Sequence, residues 1–587
     1  KKLGGVYFLL RARDQKPSDL ASKIKLRDIV IYITLTIFTF WVYNQRRPPG
    51  YEYWFIKGIE DKTVAIPGMT DNYQPIPPFT NITQQDEVWD WLTHTLPPQL
   101  WSVTPDRVLG DVVTHGYPSK RDLTLNGQNL LLGYLNIRTQ GVAPQACGNS
   151  ATIDTTLGIT CYPMSINEYT QEIAEMTSVS QYWNQSPLYS NDVRGTEASP
   201  GQWVSAETNL ERYSIPDTQG VVQRYDASGY SVQYAFDVVN GLTSRQQMQE
   251  DMKELRRLSW ITQQTRVVIV SFTLFNFHYD EWLACELMFE MPPSGGVHPS
   301  YAFRPFNVAL AETDDEIGYW YVDCIRLMMA TYIFIAVGYN ERRHKIRNHK
   351  AGCWYHVSLG GICDIGIVSC LLCLVIWRQV DFEKGNWFTS RHMEQAQGTG
   401  PDVPVINGQR VEGFRSYAAK AYDFQTIYCI EGLVMLLLML RMMAFTRLNH
   451  YVQIVKTTMG KSLESFTLLI AVFLPAMIGF TFVMYSVFGK SKKEFSLISR
   501  SLIQMYKLGT GDLSFLQFFD SDSVVAALLM LFWFCGVTFL LLSAFACVIV
   551  DMHYLVRLQT GAPEPWERKR WLTWAAPSLV VNIVSQV

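Results

Sequence analysis

The sequence is short of charge, short of histidine, and over a long stretch short of any apolar run able to span a bilayer. Asp, Glu, Lys and Arg make up 18% of its 587 residues, against about 25% in an ordinary soluble domain. Such a deficit fits very apolar segments averaged with a polar block. The net charge of −3 lacks the basic excess that a nucleic-acid partner would call for. His115, His278, His298 and His553 fall at no metal-ligand spacing. Cys363, Cys370 and Cys373 lie on helical spacings, but only Asp364 stands near them, so apolar packing is their reading. No nucleophile–base motif occurs, and neither an enzyme nor a resident cofactor is expected. The first residue is Lys, so a preceding segment is expected and no targeting signal can be read.

What is present is organised around Phe495–Tyr554. An amphipathic piece, Phe495–Lys507, leads into the turn Leu508-Gly509-Thr510-Gly511-Asp512-Leu513, and the apolar run Val524–Val550 comes after it. That run and the upstream run Phe466–Phe488 are both long enough, at about 1.5 Å per residue, to cross a hydrocarbon layer of roughly 30 Å. Irregular backbone at membrane depth is tolerated only where it lines water or lies inside protein. One chain supplies one such loop, so a closed pore needs about four copies around an axis. Asp512 repeated around that axis forms an acidic ring that favours permeant cations and acts as a metal-contacting group only for them. Gly509 and Gly511 let the backbone turn, and Thr510 adds a hydroxyl. The Thr-Val-Gly-Tyr-Gly pattern of potassium filters is missing, which argues against strict potassium selectivity.

Taken in order, residues 1–25 are basic and expected in the cytosol, and 26–44 form a first span. From 45 to 316 nothing is long and apolar enough to cross. This block has β-like runs at Thr265–Phe277 and Trp282–Met291, and Gln246–Leu258 reads as a surface helix. Asn81 and Asn184 head glycan acceptor sequons, the second weakened by Pro187. Cys147 and Cys161 are spaced either for a local disulfide kept by an oxidising compartment or as two buried thiols. Ile317–Gly338, Val357–Trp377 and Tyr422–Phe445 add spans, with a strongly basic connection at Asn340–Lys350. Residues 317–461 thus make a sensor-like unit, 462–554 a pore unit and 555–587 a basic, Trp-containing cytosolic segment that contacts lipid. The expected fold is a six-helix membrane protein of mixed class, with a large α+β outer domain between its first two spans.

Charged residues inside spans are costly and are usually paired or functional. They are Asp323 and Arg326, Asp364, Glu431 and Arg441, with Arg447 at a cytosolic end. Asp323 and Arg326 sit three apart and can pair on one helical face. Arg441 is the one basic residue well inside the fourth span, so Asp364, Glu431, Arg441 and Arg447 suggest a sensor-like fold with weak voltage dependence. A purely structural Asp364–Arg441 pair is the alternative.

The order of parts resembles the polycystin-2 branch of the transient receptor potential channels. Thr265-Arg266-Val267-Val268 and Phe289-Glu290-Met291-Pro292 with Gly295-Gly296 look like the end of that family's outer domain. Cys147 and Cys161 match its disulfide loop, and Asp364, Gly511-Asp512 and Asp551 look like family positions. The resemblance implies a homotetramer, or a heterotetramer with related subunits, conducting cations that often include calcium, in a ciliary, flagellar, plasma or endoplasmic-reticulum membrane. It also departs. The family's second filter acid is replaced by Ser514, its inner-gate Leu and Asn fall on Ala546 and Val550, and its EF-hand and coiled coil are not among these residues. The other class of function is a membrane-anchored adhesion or sensing subunit, whose outer domain binds protein or glycan partners and whose pore conducts poorly alone.

Overall fold

The computed structural model describes residues 26–46, 51–101, 124–125, 129–145, 147, 160–167, 169–185, 199–235, 241–276, 278–279, 281–306, 314–347, 359–384, 405–406, 409–410, 414–442, 450–489, 492–509, 528–529, 531–533, 536 and 540–560. The chain forms two compact units, one of residues 33–438 and the other of 1–32 with 439–587. Its long helices are α1 Leu26–Arg46, α2 Tyr51–Thr63, α3 Gly241–Arg257, α4 Asp314–Arg347, α5 Leu359–Lys384, α6 Ala418–Met442, α7 His450–Phe488, α8 Ile498–Gly509 and α9 Leu540–Thr560.

The unit 33–438 is built on an antiparallel sheet of β1 Thr124–Leu125, β2 Asn129–Gly141, β3 Tyr230–Ala235, β4 Thr265–Asn276, β5 Glu281–Glu290 and β6 His298–Phe306. Its order is β6-β5-β4-β2-β1, with β3 also paired to β2. β2 slips register against β4 between Leu132 and Asn136. Gly133 takes φ +67° inside that slip, a conformation glycine adopts without steric cost. β4 and β5 are buried along nearly their whole length, and the period-two alternation sorts their side chains onto two faces. Val268, Val270, Phe272 and Leu274 enter the main core with Trp91, Trp260 and Met252. Val267 and Ile269 pack on the other face with Tyr225 and Met288.

Two features complete this unit. Glu290 is fully buried and accepts from the backbone N–H of Val221 (2.7 Å) and Val222 (2.9 Å) and from Tyr225 Oη (3.0 Å). The carboxylate therefore pins the 218–225 hairpin to the sheet. A disulfide joins Cys147 to Cys161, whose Cα atoms are 5.0 Å apart, and Gln145 exchanges two backbone hydrogen bonds with Cys161.

α3 is more than a surface helix. Met248, Met252 and Leu255 reach the core, and buried Asp251 accepts from Tyr182 Oη at 2.9 Å and Gln247 Nε2 at 2.8 Å. The mixed charges that suggested full exposure occupy only its outer face, where Arg256 pairs with Asp86 and Asp90.

Two described segments are long and apolar enough to cross a membrane, Ala418–Met442 and Thr457–Phe488, while Val30–Asn44 and Gly361–Trp377 are shorter apolar helices. The helices overrun the expected spans. α4 continues into the basic connection as far as Arg347, and α7 begins at His450, so Lys456 and Lys461 are helical. The start of α6 is seated against the sheet: Tyr417 and Ala421 pack with Trp282 and Phe306. Arg304 donates to Tyr422 Oη at 2.6 Å with its guanidinium 4.1 Å from that ring's centre.

Candidate functional site

In the unit holding residues 439–587, α7 and α9 run antiparallel. Phe466 meets Phe545 with ring centres 4.9 Å apart, and Phe480 meets Trp533 at 5.2 Å. Thr458 Oγ1 lies 3.4 Å from His553 Nδ1, and Lys461 reaches Gln559. Pro475 stands inside α7, where it removes one backbone donor. Between these helices α8 has only 12 residues, about 18 Å, too short to cross. One of its faces is buried: Met505 and Leu508 pack with Phe495, Met484, Phe488 and Trp533. Its other face exposes Leu502, Ile503 and Tyr506. Ser501 Oγ donates to the Leu497 carbonyl at 2.9 Å, which tightens the first turn. Its carboxyl end is where the helix dipole is negative and favours cations, and Thr510-Gly511-Asp512 come next in the sequence.

Of the residues singled out for the filter and gate, Gly509 is the last residue of α8, while Thr510, Gly511 and Asp512 lie outside the described residues. Ala546 and Val550 lie on α9 with exposed side chains, Val550 at 67%, whereas Val548 is half-buried. Asp551 is exposed as well. Asn81 is exposed at the end of a 3-10 turn whose Phe79 is buried, and Asn184 is exposed just past a short helix.

The charged residues of the apolar helices divide between the two units. Within 33–438, Arg326 of α4 donates to Asp323 one turn back and stands 3.6 Å from Glu431 of α6. Asp364 is buried on α5. Arg441, in the other unit, donates to Tyr32 Oη at 3.2 Å with its guanidinium 5.7 Å from that ring's centre. Arg447 lies outside the described residues. The Arg326–Glu431 contact was missed by sequence reasoning. Its available signal was two unlike charges in different apolar helices, where neither is stable alone. Among the described residues no cluster of three or more His, Cys, Asp or Glu could hold a metal.

Outside the spans, burial shapes the ionisation of the sheet domain. Arg138 is buried in β2, donates to the carbonyls of Asp226 and Ser228 at 2.6 Å each, and is lowered by desolvation to about 10. Burial, and then Glu290, push the Tyr225 phenol up. Burial, and then Glu172, do the same to Tyr230.

Comparison with known proteins places both halves. Residues 78–309 match the model of the polycystin domain, and residues 405–556 match that of the polycystin cation channel. Polycystin-2 of Caenorhabditis elegans is 20% identical over 519 residues, covering 88% of this chain and 63% of the relative. Polycystin-2 of Danio rerio is 20% identical over 340 residues, 58% of this chain and 34% of the relative. Polycystin-2-like protein 2 of Homo sapiens is 20% identical over 448 residues, 75% of this chain and 62% of the relative. The chain thus spans less than two thirds of each of these relatives.

Proposed function

The chain belongs to the polycystin channel family, and we propose that it is one subunit of a tetrameric, six-span, calcium-permeable cation channel of low selectivity. The observation that carries this reading is α8, a helix too short to cross, packed by one face against α7 and Trp533, with Thr510-Gly511-Asp512 next in the sequence. Four such helices around an axis would aim their negative ends at the ion path. Asp512 would add a ring of carboxylates there, and Gly509, Thr510 and Gly511 backbone and hydroxyl oxygens. Ser514, standing where the resembled filter carries a second acid, gives a weaker divalent preference. Ala546 and Val550, exposed on one face of α9, would form the inner constriction. The other subunits are further copies of this chain or related polycystin chains.

The test is current through purified protein in bilayers, parent against Asp512→Asn. Conductance should fall, and calcium permeability should fall more than sodium permeability, because the attraction scales with ion charge. An unchanged calcium-to-sodium ratio would take Asp512 out of the ion path. A well-folded parent that passes no current would favour the adhesion or sensing subunit instead.

A further inference from the structure

The fourth apolar helix, α6, is where a voltage-sensing fold carries its moving cations, and its own charges are oddly balanced. It holds Lys420 and Arg441 against Asp423 and Glu431, so its described length carries no net formal charge. The acid at its middle is not surface decoration. Glu431 is 1% exposed, and its neighbour Arg326 and that residue's partner Asp323 are both fully buried. The cation that Glu431 meets belongs to α4, 3.6 Å away. Arg326 is held in turn by Asp323 on its own helix, which keeps the guanidinium anchored to α4 whatever α6 does.

We propose that Arg326 and Glu431 form a reversed sensor pair, which makes α6 a charge-neutral strut latched to α4 and not a voltage-driven element. The burial supports the latch. A buried ion pair is weak as a stabiliser against apolar packing, but breaking one by removing a partner is costly, because a charge is left uncompensated in a low-dielectric site. Sliding α6 along α4 breaks this contact. The balance of charge supports the neutrality. A helix that moves equal numbers of negative and positive charges through the same field does no net electrical work, whereas each uncancelled charge couples to the membrane potential. Removing the acid therefore has a counterintuitive result: it creates voltage dependence. The voltage part of this inference rests on the channel reading above, and the latch part does not.

Four variants of the full chain test it: Arg326→Glu, Glu431→Arg, the two combined, and Glu431→Gln. The melting temperature of the purified protein in detergent reads the latch. Each charge reversal alone should lower it, and the combined swap should recover most of the loss. A swap that melts no higher than the worse single variant overturns the pair. Voltage dependence in bilayers reads the neutrality. Glu431→Gln, in which Arg326 keeps Asp323, should steepen the conductance–voltage relation by up to about one elementary charge per subunit, and the swap by up to about two. Conducting channels whose slope matches the parent in both variants overturn the strut. A parent that is folded but silent overturns the channel reading, and the melting series still decides the latch.

Discussion

At the scale of single residues, the sheet domain contains buried polar groups, such as the Glu290 carboxylate, that tie separate segments together. Glu290 has three donors and no access to water. Glu290→Gln keeps the shape but turns an amide N–H₂ toward backbone N–H groups, leaving a buried donor unmet at a cost of about 1–3 kcal/mol. Hydrogen exchange at Val221 and Val222 should accelerate while the far end of β5 stays protected. Equal protection in parent and variant would show that the hairpin holds without the carboxylate. Tyr230 makes the matching statement about pH. Its phenol is raised by burial and donates to the Ala174 carbonyl at 2.6 Å. The folded form thus keeps a proton that the unfolded chain releases near pH 10. The stability this contributes is complete below about pH 10 and is lost as pH climbs toward the folded value. Thermal melting tracked from pH 8 to 11 should show a decline that Tyr230→Phe makes shallower. An identical decline in the variant would assign it to other groups.

At the scale of elements, α9 is the informative one. Its exposed stripe includes Ala546 and Val550, four apart and so on one face, with no charge before Asp551. Four converging valines can close a water path by dewetting, as hydrophobic constrictions do. Val550→Asn should hydrate that ring and raise resting current severalfold, whereas Asn at half-buried Val548 should chiefly lower the yield of folded protein. A folded Val550→Asn channel as tightly shut as the parent would place the gate elsewhere. α8 shows how little an element's length says without its surroundings. Its 12 residues are marginal as an isolated helix. Burial of Met505 and Leu508 beside Phe488 and Trp533 holds it in place.

At the scale of the whole molecule, the sheet domain combines a covalent and a packing constraint. The Cys147–Cys161 disulfide closes a loop of about 15 residues, worth roughly 3 kcal/mol in the loop-entropy model. Cys147→Ser should lower the amount of assembled protein recovered from membranes, read by size-exclusion chromatography. Full recovery, with free thiol at Cys161, would make the crosslink dispensable. The same domain reaches α6 through Tyr417, Tyr422 and Arg304, so damage to the sheet should propagate to a helix that sequence order places well beyond it.

Apolar length, loop charge and turn composition are local quantities, and the sequence by itself determined the features that depend on them. These are the helical runs, the position of the polar block, and the strands at 265–276 and 281–290. It also determined that Asp323 and Arg326 could pair, because three residues on a helix fix a shared face. Tertiary structure alone decided which distant groups meet. The alternation in β4 and β5 was readable, but not that both faces would be covered, since the second cover is supplied by Tyr225 and Tyr417 from other parts of the chain. Charge at Glu431 was readable, but its partner was not. Opposite charges in several apolar helices admit several pairings, and only the packing of α4 beside α6 brings Arg326, rather than an arginine of α6 itself, to the acid.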